Sequence, residues 1–210
     1  MMMNQRKLIR KIVVYAVYIL LLSSLQVSYP NRLGFGGQTA DITFVFVVLT
    51  GYFYGFKDGV IVGLIMGLVR DCLAPIAIIG IDGTVHVTAG IGMLVMFLAG
   101  AVASSFFTKR MHRNIPFAFV SIAFITLLYK FSGHFLAYSW TFLVPSAGSY
   151  DLGVYEIVVR SSLLQTLLNL IAGIPLLVLL RFAGPVGLAE QRNTSDDVIK
   201  SNEDTSWLQI

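Results

Sequence analysis

The sequence predicts an all-α polytopic membrane protein with six transmembrane helices and both termini cytoplasmic, and three observations carry that expectation. The first is hydropathy. With 56% hydrophobic residues, 12% charged residues and a mean hydropathy of +0.78, the 210-residue chain is too apolar to hide its surface as a soluble domain. The second is spacing, because apolar runs of spanning length recur between loops marked by glycine, proline and charge. The third is the placement of basic residues. If the N-terminus is inside, six spans put eleven of the fifteen Lys and Arg residues on the cytoplasmic side and only Arg32 in an outer loop. The pI of 9.3 therefore reports membrane orientation rather than nucleic-acid binding.

Taken in order, Arg6, Lys7, Arg10 and Lys11 precede a first span over Leu8–Ser28. Its 21 residues suffice for the roughly 30 Å hydrocarbon core, and further spans follow at once, so it reads as a retained anchor rather than a cleaved leader. Tyr29-Pro30-Asn31 and Gly34-Phe35-Gly36-Gly37 mark a loop. A second span is expected over Ala40–Phe56, with a break at Phe56-Lys57-Asp58, and a third over Gly59–Leu73. The third is short for a full crossing. Pro75 and the run Ile76–Ile81 are expected to complete it as a bent or re-entrant segment. Further spans are expected over Thr84–Phe107, Ile115–Val144 and Val154–Leu180. Residues 1–186 thus form a membrane domain, and 187–210, with Asp196, Asp197, Glu203 and Asp204, a polar cytoplasmic tail.

Glycines recur every fourth residue at Gly51, Gly55, Gly59, Gly63 and Gly67. On a helix that spacing makes a ridge, and glycine there admits a neighbouring backbone at close range. In a soluble helix each would cost about 1 kcal/mol relative to alanine, so close packing is the compensating reason. Gly59, Gly63 and Gly67, with Asp71 at the end of the helix, are the candidate partner-binding residues.

Ionisable groups inside spans are costly and are examined first for function. Arg70 and Asp71 close the third span; as neighbours they project about 100° apart, so each needs a different partner. Glu156 and Arg160 have the spacing of a local ion pair. Lys130 and His134 share a face of the fifth span, where the lysine can snorkel, and His86 opens the fourth. In the sixth span Ser162, Gln165, Thr166, Asn169, Ala172 and Gly173 make one polar and small face, expected to point into the bundle, with Gln165 and Asn169 as interhelical hydrogen-bonding groups. One cysteine and three scattered histidines give no metal-ligand cluster, no cofactor motif is present, and no nucleophile–base spacing suggests catalysis.

Leu25-Gln26 ending the first span, Ala40-Asp41-Ile42 opening the second, and the glycine series leading to Asp71 together resemble the bacterial rod shape-determining MreD family. The likeness runs from about Leu8 to Phe107. Ala40 stands where that family typically has proline, and Arg70 precedes Asp71 in place of leucine. The resemblance implies a non-enzymatic subunit of the peptidoglycan-elongating machinery in the bacterial cytoplasmic membrane. Its implied partners are a single-span MreC-like protein, the MreB filament and the RodA and penicillin-binding synthases. It also implies a fold similar to the substrate-binding subunits of energy-coupling-factor vitamin transporters, which defines the alternative function of a small-molecule transport subunit. Those subunits usually carry an alanine-x-x-x-alanine pair on the first helix, where this chain has only Ala16.

Overall fold

The computed structural model describes residues 5–28, 34–35, 38–73, 76–79, 85–88, 90–105, 115–143 and 154–185. Its order is α1 (Gln5–Ser28), β1 (Gly34–Phe35), β2 (Gln38–Thr39), α2 (Ile42–Tyr54), α3 (Phe56–Leu73), β3 (Ile76–Ile79), β4 (Val85–Thr88), α4 (Ile91–Ser105), α5 (Ile115–Leu143) and α6 (Val154–Ala183). Six helices therefore carry the described chain, and the protein is an all-α polytopic membrane protein. The stretches Leu8–Ser28, Ile115–Ser132 and Val159–Ala183 are each long and apolar enough to cross a membrane, and Ile42–Tyr54 and Gly92–Ser105 are shorter apolar helices.

The bundle is built around α2. Every residue from Ile42 to Phe53 is buried, as expected of a helix that is apolar on all sides. It touches each of the other five helices. Around it, α1, α5 and α6 turn large apolar side chains outward, including Leu20, Leu21, Phe124, Leu128, Leu167 and Ile171, which gives the bundle a surface suited to lipid rather than water.

The turn between α2 and α3 is a single residue. Gly55 has φ +91°, a conformation that costs glycine little and other residues much, and its N–H bonds Gly51 O at 3.1 Å while its carbonyl starts α3 by accepting from Gly59 at 2.9 Å. The break thus lies at Gly55 and not at Phe56–Asp58, and α3 begins three residues earlier than expected. Folding back on one residue sets α3 directly against α2.

Two expectations from the sequence are corrected between α3 and α4. Residues Ile76–Ile79 are not a re-entrant continuation of the third span; they pair antiparallel with Val85–Thr88, with Ile76 opposite Thr88 and Ile79 opposite Val85. The fourth helix consequently starts at Ile91, not Thr84, and His86 lies on β4. A four-residue apolar run carries no helical period, and the alternating β-branched Val85-His86-Val87-Thr88 favours a strand. Half of the loop expected at Gly34–Gly37 is likewise a strand, Gly34 pairing antiparallel with Thr39 and Phe35 with Gln38. The tail 187–210 and the side chains of His86, His134 and Glu156 lie outside the described residues.

Candidate functional site

The chemistry of the described residues concentrates where α1, α3 and α4 meet the N-terminus of α2. Asp41 is the cap of α2. Its Oδ1 accepts from the Phe44 N–H at 3.0 Å and the Thr43 hydroxyl at 2.7 Å, and its Oδ2 accepts from Arg70 Nη1 at 2.8 Å. A carboxylate there satisfies an orphan amide of the first turn and interacts favourably with the helix dipole. The ion pair is largely shielded, with the two side chains 30% and 10% exposed. It joins α3 to α2.

Two amide side chains complete the hold on α2. Gln26 of α1 donates from Nε2 to Ala40 O at 3.1 Å and accepts the Ile42 N–H at 2.9 Å, so one side chain serves the backbone on both sides of Asp41. Asn169 of α6, 1% exposed, accepts the Asp41 N–H at 2.8 Å and donates to Thr126 Oγ1 of α5 at 3.2 Å. With lipid or protein on every side, backbone amides left without partners would each cost about 1–3 kcal/mol, which is what these side chains prevent.

Asp71 serves a second helix in the same way. Its carboxylate accepts the N–H groups of Gly90 at 2.8 Å, Gly92 at 3.0 Å and Met93 at 3.1 Å, so that it caps α4 from the last turn of α3. Arg70 and Asp71 therefore do take different partners, as their angular separation requires. Asp71, a candidate for partner binding, has its carboxylate committed within the chain.

The glycine ridge lies against α4. A Cβ on Gly59 would stand 2.6 Å from Gly51 Cα and 2.8 Å from Gly100 O, one on Gly63 2.5 Å from Met96 O, and one on Gly67 2.7 Å from Gly92 O. Backbones of α2, α3 and α4 thus meet at Gly51, Gly59 and Gly100 with no room for a methyl group. The ridge does contact another helix, and that helix is α4 of the same chain. What α3 leaves outward is its other side, with Ile61, Ile65 and Leu68 exposed.

On α6 the polar face points inward: Ser162, Thr166, Asn169 and Gly173 are buried, and Gln165 is half-buried. Asn169 makes the cross-helix bonds. The opposite end of the bundle has its own set of contacts, which the sequence did not single out. Buried Asp58 pairs with Lys11 Nζ at 2.7 Å and accepts from Tyr15 Oη at 2.9 Å, while Tyr18 and Tyr54 donate to the last-turn carbonyls of α6 at Leu179, Leu180 and Ala183. Tyr15 and the acid it meets are 43 positions apart and have no local sequence signature.

Beside the α2 cap is a cavity of about 260 Å³. It is lined by Ser23, Gln26 and Val27 of α1, Arg70 and Leu73 of α3, and Asp41 and Thr43 at the start of α2. Among the described residues no three His, Cys, Asp or Glu side chains come together as a metal site.

A family model described as the 5TMR of 5TMR-LYT matches residues 1–141. The chain belongs to this family. The 5TMR-LYT match takes in α1 to α4 and all of α5 except its last two residues, so the α2 cap, the ridge and Asp71 lie within it and the Asn169 contact comes from beyond it. Membership supports a multi-pass membrane protein and does not single out the MreD resemblance. No curated protein and no solved structure matches the chain.

Proposed function

We propose that this 5TMR-LYT protein is a non-enzymatic subunit of the cell-wall elongation machinery in the bacterial cytoplasmic membrane, a scaffold that binds other membrane proteins. The reading rests on the motif resemblance to MreD together with one structural observation. Gln26, Asp41, Gly59, Gly63, Gly67 and Asp71, which carry that resemblance, are the residues that hold α1 to α4 in one arrangement. Their chemistry is that of a rigid support and not of turnover. An MreC-like single-span protein is the first partner, with the MreB filament and the RodA and penicillin-binding synthases beyond it.

Since the ridge is occupied by α4, the partner helix is assigned to the outward side of α3, along Ile61, Ile65 and Leu68. The alternative, a vitamin-type transport subunit, is less well supported by the α2-cap cavity. Pockets that enclose drug-sized molecules run to about 300–1,000 Å³, and this one is about 260 Å³.

Depletion in a rod-shaped host tests the proposal, with rounded, widened cells as the expected result and a single-span MreC-like protein co-purifying in detergent. Ile65→Trp should weaken that co-purification without lowering thermal stability. Normal cell shape together with tight binding of a vitamin-sized ligand would replace the scaffold reading with the transporter one.

A further inference from the structure

The cavity beside the α2 cap has a chemistry that the scaffold reading does not use. Most of its polar atoms are committed: Gln26 bonds the backbone through both ends of its amide, Thr43 donates to Asp41, and Ser23 donates to the sulfur of Met66. Arg70 is the exception. A guanidinium offers five N–H donors in a planar fork, and the single bond Arg70 makes among the described residues runs from Nη1 to Asp41. Arg70 also lines the cavity.

Lys130 of α5 is half-buried and has no ion-pair partner among the described residues. Asp41 and Asp71 each sit at a helix N-terminus, and each such terminus carries about half a positive charge. The C-termini of α1 and α3 at the same end carry about half a negative charge each, so the helix ends cancel, and the unfilled fork of Arg70 rather than net charge is what favours an anion.

The cavity walls are apolar where they leave the bundle. Val27 and Leu73 line it and are exposed, and Leu68 continues the apolar surface along α3. A cavity of this volume takes a headgroup but not a whole drug-sized molecule. It opens beside a surface suited to hydrocarbon.

We propose that this cavity holds the phosphate of a membrane amphiphile, with the Arg70 fork as its hydrogen-bond donor and the acyl chains lying over Val27 and Leu73. Arg is the side chain whose geometry matches a phosphate bidentately. The site stands independently of the scaffold reading, since it requires no protein partner.

The test is lipid retention by the full-length protein. Protein exchanged into detergent with equal amounts of phosphatidic acid and diacylglycerol bearing the same chains is washed, and the lipid that stays with it is identified by native mass spectrometry. The wild type should retain phosphatidic acid over diacylglycerol by about tenfold. Arg70→Lys keeps a cation beside Asp41 but lacks the fork, and Leu73→Trp fills the cavity while leaving the Arg70–Asp41 pair intact. Both should abolish the preference. Equal retention of the two lipids by the wild type, or persistence of the preference in either variant, overturns the proposal. Protection of the protein against heat by inorganic phosphate, without retained lipid, would assign the site to a free anion and overturn the amphiphile.

Discussion

The carboxylate of Asp71, on the last turn of α3, accepts the backbone N–H of Gly92 at 3.0 Å and so caps a helix to which it does not belong. With Gly90 and Met93 as further donors, three amides at the start of α4 depend on a residue 19 to 22 positions earlier. Capping groups within a helix contribute roughly 0.5–2 kcal/mol. Asp71→Ala should therefore lower stability by about 1–2 kcal/mol, measured as a fall in melting temperature in detergent, and Asp71→Asn by less because one acceptor oxygen remains. Identical melting of Asp71→Ala and wild type would mean that α4 does not need the cap.

The ridge gives a sharper expectation. Gly63→Ala would push a methyl group to 2.5 Å from Met96 O, and α3 can relieve that only by moving away from α4. Gly63→Leu should cost about 1–3 kcal/mol or more, whereas Ile65→Leu, on the exposed side of the same helix, should be neutral. Thermal melting of the pair reads the difference. Equal stability would place the ridge toward lipid.

Asn169 is held between the Asp41 amide and the Thr126 hydroxyl. Asn169→Leu leaves a buried N–H without an acceptor, for an expected loss of about 1–3 kcal/mol. Thr126→Val removes only the weaker contact and should cost less. Asn169→Asp is informative in the other direction, since a second carboxylate oxygen so close to Asp41 should destabilise more than the neutral change. Melting temperatures should fall from Thr126→Val to Asn169→Leu to Asn169→Asp.

Sidedness follows from the basic residues of the loops. Reporter fusions after Gly37, Ile81 and Ser149 should read outside, and fusions after Arg113 and Arg192 inside. An inside signal after Ile81 would sink the six-span topology.

The helices were legible because hydropathy and span length are properties of contiguous residues, and the bounds of α1, α5 and α6 lie close to those expected. The ridge was legible as a ridge, since a four-residue repeat defines a face. That its partner is α4 was not, because Gly92, Met96 and Gly100 carry a four-residue spacing that reads equally well as ordinary membrane-helix glycine and methionine. Asp41 and Arg70 show the same limit. Arg70 was recognisable as an ionisable group needing a partner and Asp41 only as part of the resemblance motif, and 29 positions and a helix reversal at Gly55 separate them. The hairpin at Ile76–Thr88 was misread because four apolar residues are too few to distinguish a strand from a turn of helix.

The complete enclosure of α2 has a consequence for how the protein meets its bilayer. Thirteen residues at 1.5 Å each give a helix of about 20 Å, well short of the roughly 30 Å of hydrocarbon. Because other helices surround it, α2 experiences no hydrophobic mismatch, and its polar cap at Asp41 meets protein instead of acyl chains. Matching to membrane thickness falls to the outer ring of α1, α5 and α6, which can tilt about a post whose length the lipid never measures.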